Sequence, residues 1–374
     1  MGIDAIFTAH NWEVVPFHFW SLCFFALGCI VGSFLNVCIY RMPLELSVVS
    51  PPSHCPHCKY SIPFYLNIPL VTWLALRGRC KNCGAPISPR YFIVELFTGV
   101  AFLAAWLHHG DPHHPLPSLA LALVYAIFLA GLICATFIDF EHFIIPDEIT
   151  LGGIVAGFTA SSVLPSLQGA STLAEGAVKS LLGAVVGAGV IYAILRLGKL
   201  LFGRQKFRLE PETRVVFSET AVCLPDREIP YEEIFYRRSD KIVLQARIVE
   251  LVDRCYRDVS VRLSPAVLQI GDEKINPDEV KHLEAVSSEL VLPREAMGLG
   301  DVKFLAAIGA FLGWQGALFS LMFSSMIGAA VGVLLILLRR REWSSRMPYG
   351  PYIAAAAVIW LFGGNRWFHE LFAL

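Results

Sequence analysis

Apolar residues in this chain come in long uninterrupted runs, not in the alternation of a half-exposed sheet or the stripe of a surface helix. Crossing the hydrocarbon of a bilayer as a helix takes roughly 20 predominantly apolar residues. Residues 17–40, 91–107, 116–138, 149–164, 177–202, 316–338 and 351–372 meet or approach that length, and a shorter run at 302–314 makes an eighth. The pattern predicts a mainly α, polytopic membrane protein with about eight transmembrane helices. The first run lacks a positively charged segment before it and is long enough to span, so it reads as a membrane helix and not as a cleaved signal.

Two stretches interrupt the runs. Residues 41–90 are rich in Pro, Cys and basic side chains and are too few to bury a large core. Residues 203–296 hold 33 of the 61 charged residues and read as an inserted soluble, β-rich domain. Within it, 241–252, 258–263 and 266–270 carry β-branched residues between Pro or Gly breaks, as strands do. Asn276-Pro277-Asp278-Glu279 reads as the start of a short helix running to about Ser288. The insertion contains no recognisable nucleophile, metal or phosphate motif, which suits a spacer or partner-docking role. The predicted division is therefore 1–40, a first helix; 41–90, a small cytoplasmic domain; 91–202, helices 2–5; 203–296, the insertion; and 297–374, helices 6–8.

Composition agrees with a bilayer setting: 55% of the 374 residues are hydrophobic and 16% charged, with mean hydropathy +0.58. The net charge of −1 says less than the placement of its parts. Lys and Arg cluster at Arg41 to Arg90, at Arg196 to Arg208 and at Arg339, Arg340 and Arg341, while the segments before residue 17, at 108–117 and at 165–175 have none. By the positive-inside rule the basic regions are cytoplasmic, and eight spans leave both termini outside. No long repeat, low-complexity tract or nucleic-acid-binding basic stripe is present.

Cys55-Pro56-His57-Cys58 and Cys80-Lys81-Asn82-Cys83 are two C-x-x-C knuckles with 21 residues between them, a spacing close to that of zinc ribbons. Four thiolates close a tetrahedral zinc site and leave no open position, so the metal is expected to be structural. Two disulfides are the alternative, disfavoured by a reducing cytoplasm. His54 and His57 read as flanking residues, and the six other cysteines as small apolar side chains.

Chemistry concentrates at two acidic positions. The third run ends in Ile138-Asp139-Phe140-Glu141, followed by Pro146-Asp147. Most carboxylates at a membrane boundary merely sit in headgroup water. Asp139 abuts an apolar span directly, where partial desolvation tunes a carboxyl group for proton transfer. Gly298-Leu299-Gly300-Asp301 opens the sixth helix on the same side, with Lys303 just after it. The glycines allow a backbone to come close, and a helix start favours a carboxylate. Two carboxyl groups within hydrogen-bond reach share a proton and form an acid–base pair. Spacing does not decide which aspartate is base and which is acid.

Read together, several motifs resemble the type IV prepilin peptidases, bifunctional leader peptidase and N-methyltransferase enzymes. They are Gly32-Ser33-Phe34-Leu35-Asn36, the double C-x-x-C, Asn67-Ile68-Pro69-Leu70, Val94-Glu95-Leu96, Phe137-Ile138-Asp139, Ile145-Pro146-Asp147 and Met297-Gly298-Leu299-Gly300-Asp301-Val302-Lys303. The resemblance implies that Asp139 and Asp301 are the catalytic pair, supported by Asp147, Glu141, Gly298, Gly300 and Lys303. It implies cleavage after a Gly that ends a basic leader of prepilin or pseudopilin precursors, at the cytoplasmic face of a bacterial inner membrane. It also implies methylation of the new N-terminus from S-adenosylmethionine, for which composition offers no signal. Glu141 stands where many members carry Asp, and residues 203–296 replace what is usually a short loop. Two rivals stand beside this one: a GxGD intramembrane protease with other substrates, and a non-enzymatic transporter or scaffold whose aspartates bind a cation.

Overall fold

Five helices are long and apolar enough to cross a membrane, by length and composition, among the residues that the computed structural model describes: Phe17–Leu44, Pro89–His109, Ser118–His142, Leu173–Leu200 and Leu299–Leu337. The described residues are 16–113, 115–202, 204–235, 240–277, 280, 282–293, 298–338 and 347–372. Arg339, Arg340, Arg341 and Met297 lie outside them. The main helices are α1 (Phe17–Arg41), α2 (Pro89–His109), α3 (Pro115–His142), α4 (Asp147–Val163), α5 (Leu173–Phe202), α6 (Leu299–Leu337), α7 (Gly350–Ile359) and α8 (Asn365–Phe372). The chain divides into two compact units, Met1–Ile191 with Leu299–Leu374, and Tyr192–Gly298.

The expected eight runs and the five long helices differ for identifiable reasons. Helix α4 has only 17 residues, and α7 only 10 before a π-helical turn at Trp360–Gly364. Helix α6 has 39 residues, which at 1.5 Å per residue is about 58 Å, far beyond a hydrocarbon core of about 30 Å. It is broken at Gly313, where φ is 75° and ψ 176°, between the two apolar runs seen in the sequence. The break frees the last carbonyls of the first half, and an apolar interior offers no water to satisfy them. Ser180 Oγ (2.8 Å), Gln168 Nε2 (2.9 Å) and Ser161 Oγ (3.2 Å) all donate to Ala310 O, and Gln168 Nε2 also donates to Phe311 O at 3.1 Å.

Small residues set the packing around that half-helix. Gly157 of α4 lies against Ala310 and Phe311, and Gly183 of α5 meets Gly309 backbone to backbone. A Cβ on Gly183 or Gly309 would overlap the carbonyl of the other, so only glycine allows this crossing. The first turns of α4 and α6 consequently emerge at the same end of the unit.

The second unit carries an eight-stranded antiparallel sheet in the order β3-β2-β1-β8-β4-β5-β6-β7. Its strands are β1 (Arg204–Phe217), β2 (Ala221–Cys223), β3 (Glu228–Pro230), β4 (Ile242–Leu251), β5 (Cys255–Leu263), β6 (Leu268–Ile270), β7 (Glu273–Ile275) and β8 (Leu283–Pro293). One face buries Val215, Val222, Ile242, Leu244, Val249, Val261, Ile270, Ala285 and Leu290. The helix expected to run to about Ser288 is overturned over its second half, which is the start of β8. Leu283, Ala285 and Ser287 alternate with more exposed neighbours, the period of a strand. Flanked by β1 and β4, this segment gains a full ladder on both sides, which outweighs the local helix-start signal. Of the six cysteines expected to pack as apolar side chains, Cys29, Cys38 and Cys134 are buried, but Cys255 is exposed.

Candidate active site

Asp139 sits in the last turn of α3 and is 5% exposed. Its Oδ2 accepts a hydrogen bond of 2.8 Å from the backbone N–H of Gly350, the first residue of α7. A short connection, 143–146, then leads to Asp147 in the first turn of α4. Within it, Ile145 is buried and packs beside both acidic positions. A Cβ placed on Gly300 would lie 3.5 Å from the Ile145 backbone, and one on Gly350 would lie 3.0 Å from Ile145 Cδ1. Asp301 occupies the first turn of α6, next to Gly300. Asp139, through its partner Gly350, and Asp301, through its neighbour Gly300, thus belong to helix ends that come against Ile145.

The hydrogen bond of Asp139 comes from Gly350 and not from a second carboxyl group. The 3.5–3.6 Å contacts open to a Cβ at Gly300 are ordinary, so this glycine is not demanded by packing inside the protein. Gly298 lies just before the helix and is exposed.

The other expected residues hold the helix ends together. Lys303 Nζ reaches Asp147 Oδ1 at 2.6 Å and Oδ2 at 2.9 Å, tying the first turn of α6 to that of α4. With side-chain exposures of 36% and 58%, this pair contributes about 0–1 kcal/mol at most. Asp147→Asn is accordingly expected to lower cleavage of a precursor by no more than about fivefold. A loss comparable to that of Asp139→Asn in the same kinetic assay would assign Asp147 a direct role. Glu141 pairs with Arg90, in the first turn of α2.

Sequence reasoning missed Gly350, whose only sign was a Gly-Pro pair opening an apolar helix. Glu95 stood in the Val94-Glu95-Leu96 motif without a role; this carboxylate of α2 is 8% exposed and its Oε2 accepts 2.7 Å from Leu70 N. Leu70 has φ 61° and ψ −50°, and Val71 N reaches back to Pro69 O at 2.6 Å, the rare strained three-residue turn. The buried carboxylate holds that turn against α2.

The four knuckle cysteines come together. The Sγ atoms of Cys55, Cys58, Cys80 and Cys83 lie within 4.8 Å of one another, with Cys55–Cys83 at 3.8 Å and Cys58–Cys80 at 4.0 Å. Thiolates bound at about 2.3 Å around a tetrahedral ion stand about 3.8 Å apart, so the donor set fits a metal ion. Each knuckle closes on a left-handed residue, Lys59 (φ 57°) and Gly84 (φ 70°). The Asn82 side-chain amide, then the Tyr60 backbone, draw the Cys58 thiol down to about 6, while Cys83, against its backbone hydrogen bond at Ala85, is pushed up to about 12 by desolvation and the neighbouring sulfurs.

Comparison with known proteins bears on both regions. A model described as Bacterial Peptidase A24 N-terminal domain matches residues 26–109, and one described as Type IV leader peptidase family matches residues 126–206 and 283–333. The second match skips from 206 to 283, most of the sheet domain. A prepilin leader peptidase/N-methyltransferase from Myxococcus xanthus is 31% identical over 84% of this chain and 62% of its own length. One of the same description from Aeromonas hydrophila is 29% identical over 95% of both. A type 4 prepilin-like proteins leader peptide-processing enzyme from Escherichia coli is 41% identical over 39% of this chain and 59% of its own length. No solved structure matches. With one model covering the four-cysteine knuckles and the other covering Asp139 and Asp301, this chain belongs to the type IV leader peptidase family.

Proposed function

We propose that this protein is an aspartic endopeptidase that removes the basic leader of type IV prepilin or pseudopilin precursors at the cytoplasmic face of a bacterial inner membrane, and then N-methylates the new terminus. The observation that carries the proposal is the convergence of Asp139 and Asp301, from helix ends, on Ile145. One carboxylate takes a proton from water as that water adds to the scissile carbonyl. The other, protonated, donates to the carbonyl oxygen; as the tetrahedral adduct collapses, a proton passes to the leaving amine. The substrate must be extended across the site, because a helix keeps its carbonyls in its own hydrogen bonds.

Eight apolar helical segments follow from counting α1 to α5, the two halves of α6 divided at Gly313, and α7 with its continuation. Basic residues then place the site, the four-cysteine domain and the 203–296 insertion on the cytoplasmic side. The metal is zinc, held by Cys55, Cys58, Cys80 and Cys83 in a closed structural site. Residues 41–90, 91–202 and 297–374 are thus a zinc domain and two membrane blocks, and the insertion is a spacer or docking module. Glu141, Asp147, Gly298, Gly300 and Lys303 support the pair.

The relatives' description as N-methyltransferases brings in S-adenosylmethionine, which supplies the methyl group when bound. A cavity of about 360 Å³ beside α1 is the place this reading assigns to such a ligand. Ile30, Phe34 and Val37 give it an apolar wall, while Ser33, Arg41 and Asn67 add polar groups. Those residues would hold the ligand's base and its charged end.

Purified protein in detergent, given a prepilin precursor, is expected to release the leader. Its mature product should gain one methyl group only when S-adenosylmethionine is added. An uncut precursor, together with ion transport by the same preparation, would sink the peptidase assignment; a cut but unmethylated product would reduce the protein to a single activity.

A further inference from the structure

We infer that Gly350 is a positioning residue for the peptidase reaction, its backbone N–H fixing the Asp139 carboxylate against the start of α7. The inference rests on the proposal that Asp139 is catalytic. Three features of the α7 start support it. Residue 351 is Pro and has no N–H, while Tyr352 N and Ile353 N both turn back to Tyr349 O, at 3.1 and 3.2 Å. Gly350 N–H is therefore the donor that this helix start offers to another element, and it goes to Asp139 Oδ2 at 2.8 Å. A carboxylate at a helix N-terminus also meets the positive end of the helix dipole.

The approach leaves no room for a side chain. A Cβ on residue 350 would lie 2.8 Å from Asp139 Oδ2 and 3.0 Å from Ile145 Cδ1. Neither neighbour is the loose end of a flexible chain: Asp139 is 5% and Ile145 8% exposed. An alanine here must push Asp139, Ile145 or the start of α7 out of place, and Ile145 is the residue both acidic positions share.

The α7 start is itself anchored. Tyr349 Oη is within 2.8 Å of Ser324 Oγ and 2.9 Å of Ser325 Oγ, in the half of α6 that follows the Gly313 break. A chain of contacts thus runs from Ser324 and Ser325 through Tyr349 to Gly350 and Asp139. An amide N–H is better accepted by the unprotonated oxygen of a carboxyl group, so the contact at Oδ2 favours a proton on Oδ1 of Asp139. Gly350 thereby biases which oxygen of Asp139 exchanges protons with water or peptide.

The test measures kcat and KM for precursor cleavage in detergent for wild type, Gly350→Ala, Tyr349→Phe and Asp139→Asn, with thermal unfolding recorded for each. Gly350→Ala should lower kcat by about 100-fold, the scale of a 1 Å misplacement, with KM within about twofold. Tyr349→Phe should lower kcat by about fivefold, the effect of one lost hydrogen bond, again with KM unchanged. Wild-type kcat in Gly350→Ala overturns the inference, as does a loss confined to KM. If Gly350→Ala fails to fold, Tyr349→Phe decides, and unchanged kcat there counts against it. Should Asp139→Asn itself cleave normally, the catalytic role of Asp139 fails first; inactive Asp139→Asn beside fully active Gly350→Ala refutes only the positioning role.

Discussion

Asp139→Asn and Asp301→Asn should each lower precursor cleavage by roughly 10²–10⁴-fold or more, the range carried by a positioned acid or base. A thousandfold loss corresponds to about 4 kcal/mol of transition-state stabilisation. Asparagine keeps the shape of the side chain and removes only its ability to exchange a proton, so the loss should fall on kcat. At position 139 the amide oxygen can still accept the Gly350 N–H, and α7 should keep its place. The folded protein should therefore unfold at close to the wild-type temperature. Combining both substitutions should add little, because two carboxyl groups acting as one unit are not additive. Either single variant cleaving at a tenth of the wild-type rate or better would remove that aspartate from the pair.

The second large effect concerns the metal domain. Cys55→Ser and Cys80→Ser should each lose the bound zinc and unfold residues 42–88, detected as lost metal stoichiometry and new proteolytic cleavage confined to that segment. Of residues 42–88 only Cys55 and Gly78 are buried, so apolar burial cannot hold the segment together. Zinc binding at four-ligand sites releases about 10–16 kcal/mol in zinc-finger peptides at neutral pH, and where no core exists that energy is the folding energy. Treating the wild type with a strong chelator should reproduce the variants' proteolysis. The membrane unit should survive, because its own packing, such as the Gly183–Gly309 crossing, does not use the metal. Full zinc content in either serine variant would defeat the four-cysteine assignment.

What was legible in the sequence follows from where each signal is stored. A bilayer forces backbone polar groups to pair within a segment, so each apolar run announces a helix on its own. The C-x-x-C knuckles are likewise local: each makes its turn within a few residues, and their spacing implies a shared ion. Asp139 and Asp301 could be singled out as candidates because each lies at the boundary of an apolar run, and boundaries are read from adjacent residues. The strand at Leu283–Pro293 was not, because its neighbours in the sheet are β1 and β4, remote in sequence. A local helix-start motif had no competitor until that ladder was known.

The sequence by itself determined a multi-pass helical membrane protein with a four-thiol ligand set and acidic residues at two helix ends, since hydropathy, spacing and boundary position are all properties of neighbouring residues. Only the tertiary structure decided that Gly350, 211 residues from Asp139, supplies its hydrogen bond, and that Ser161, Gln168 and Ser180 satisfy the carbonyls freed at Gly313. It also decided that Glu95 restrains the strained turn at Leu70. The reason is physical: a backbone N–H or a glycine surface carries no sequence-specific mark of its partner. Which distant helix end meets it depends on how the small residues of α4, α5 and α6 let the helices approach.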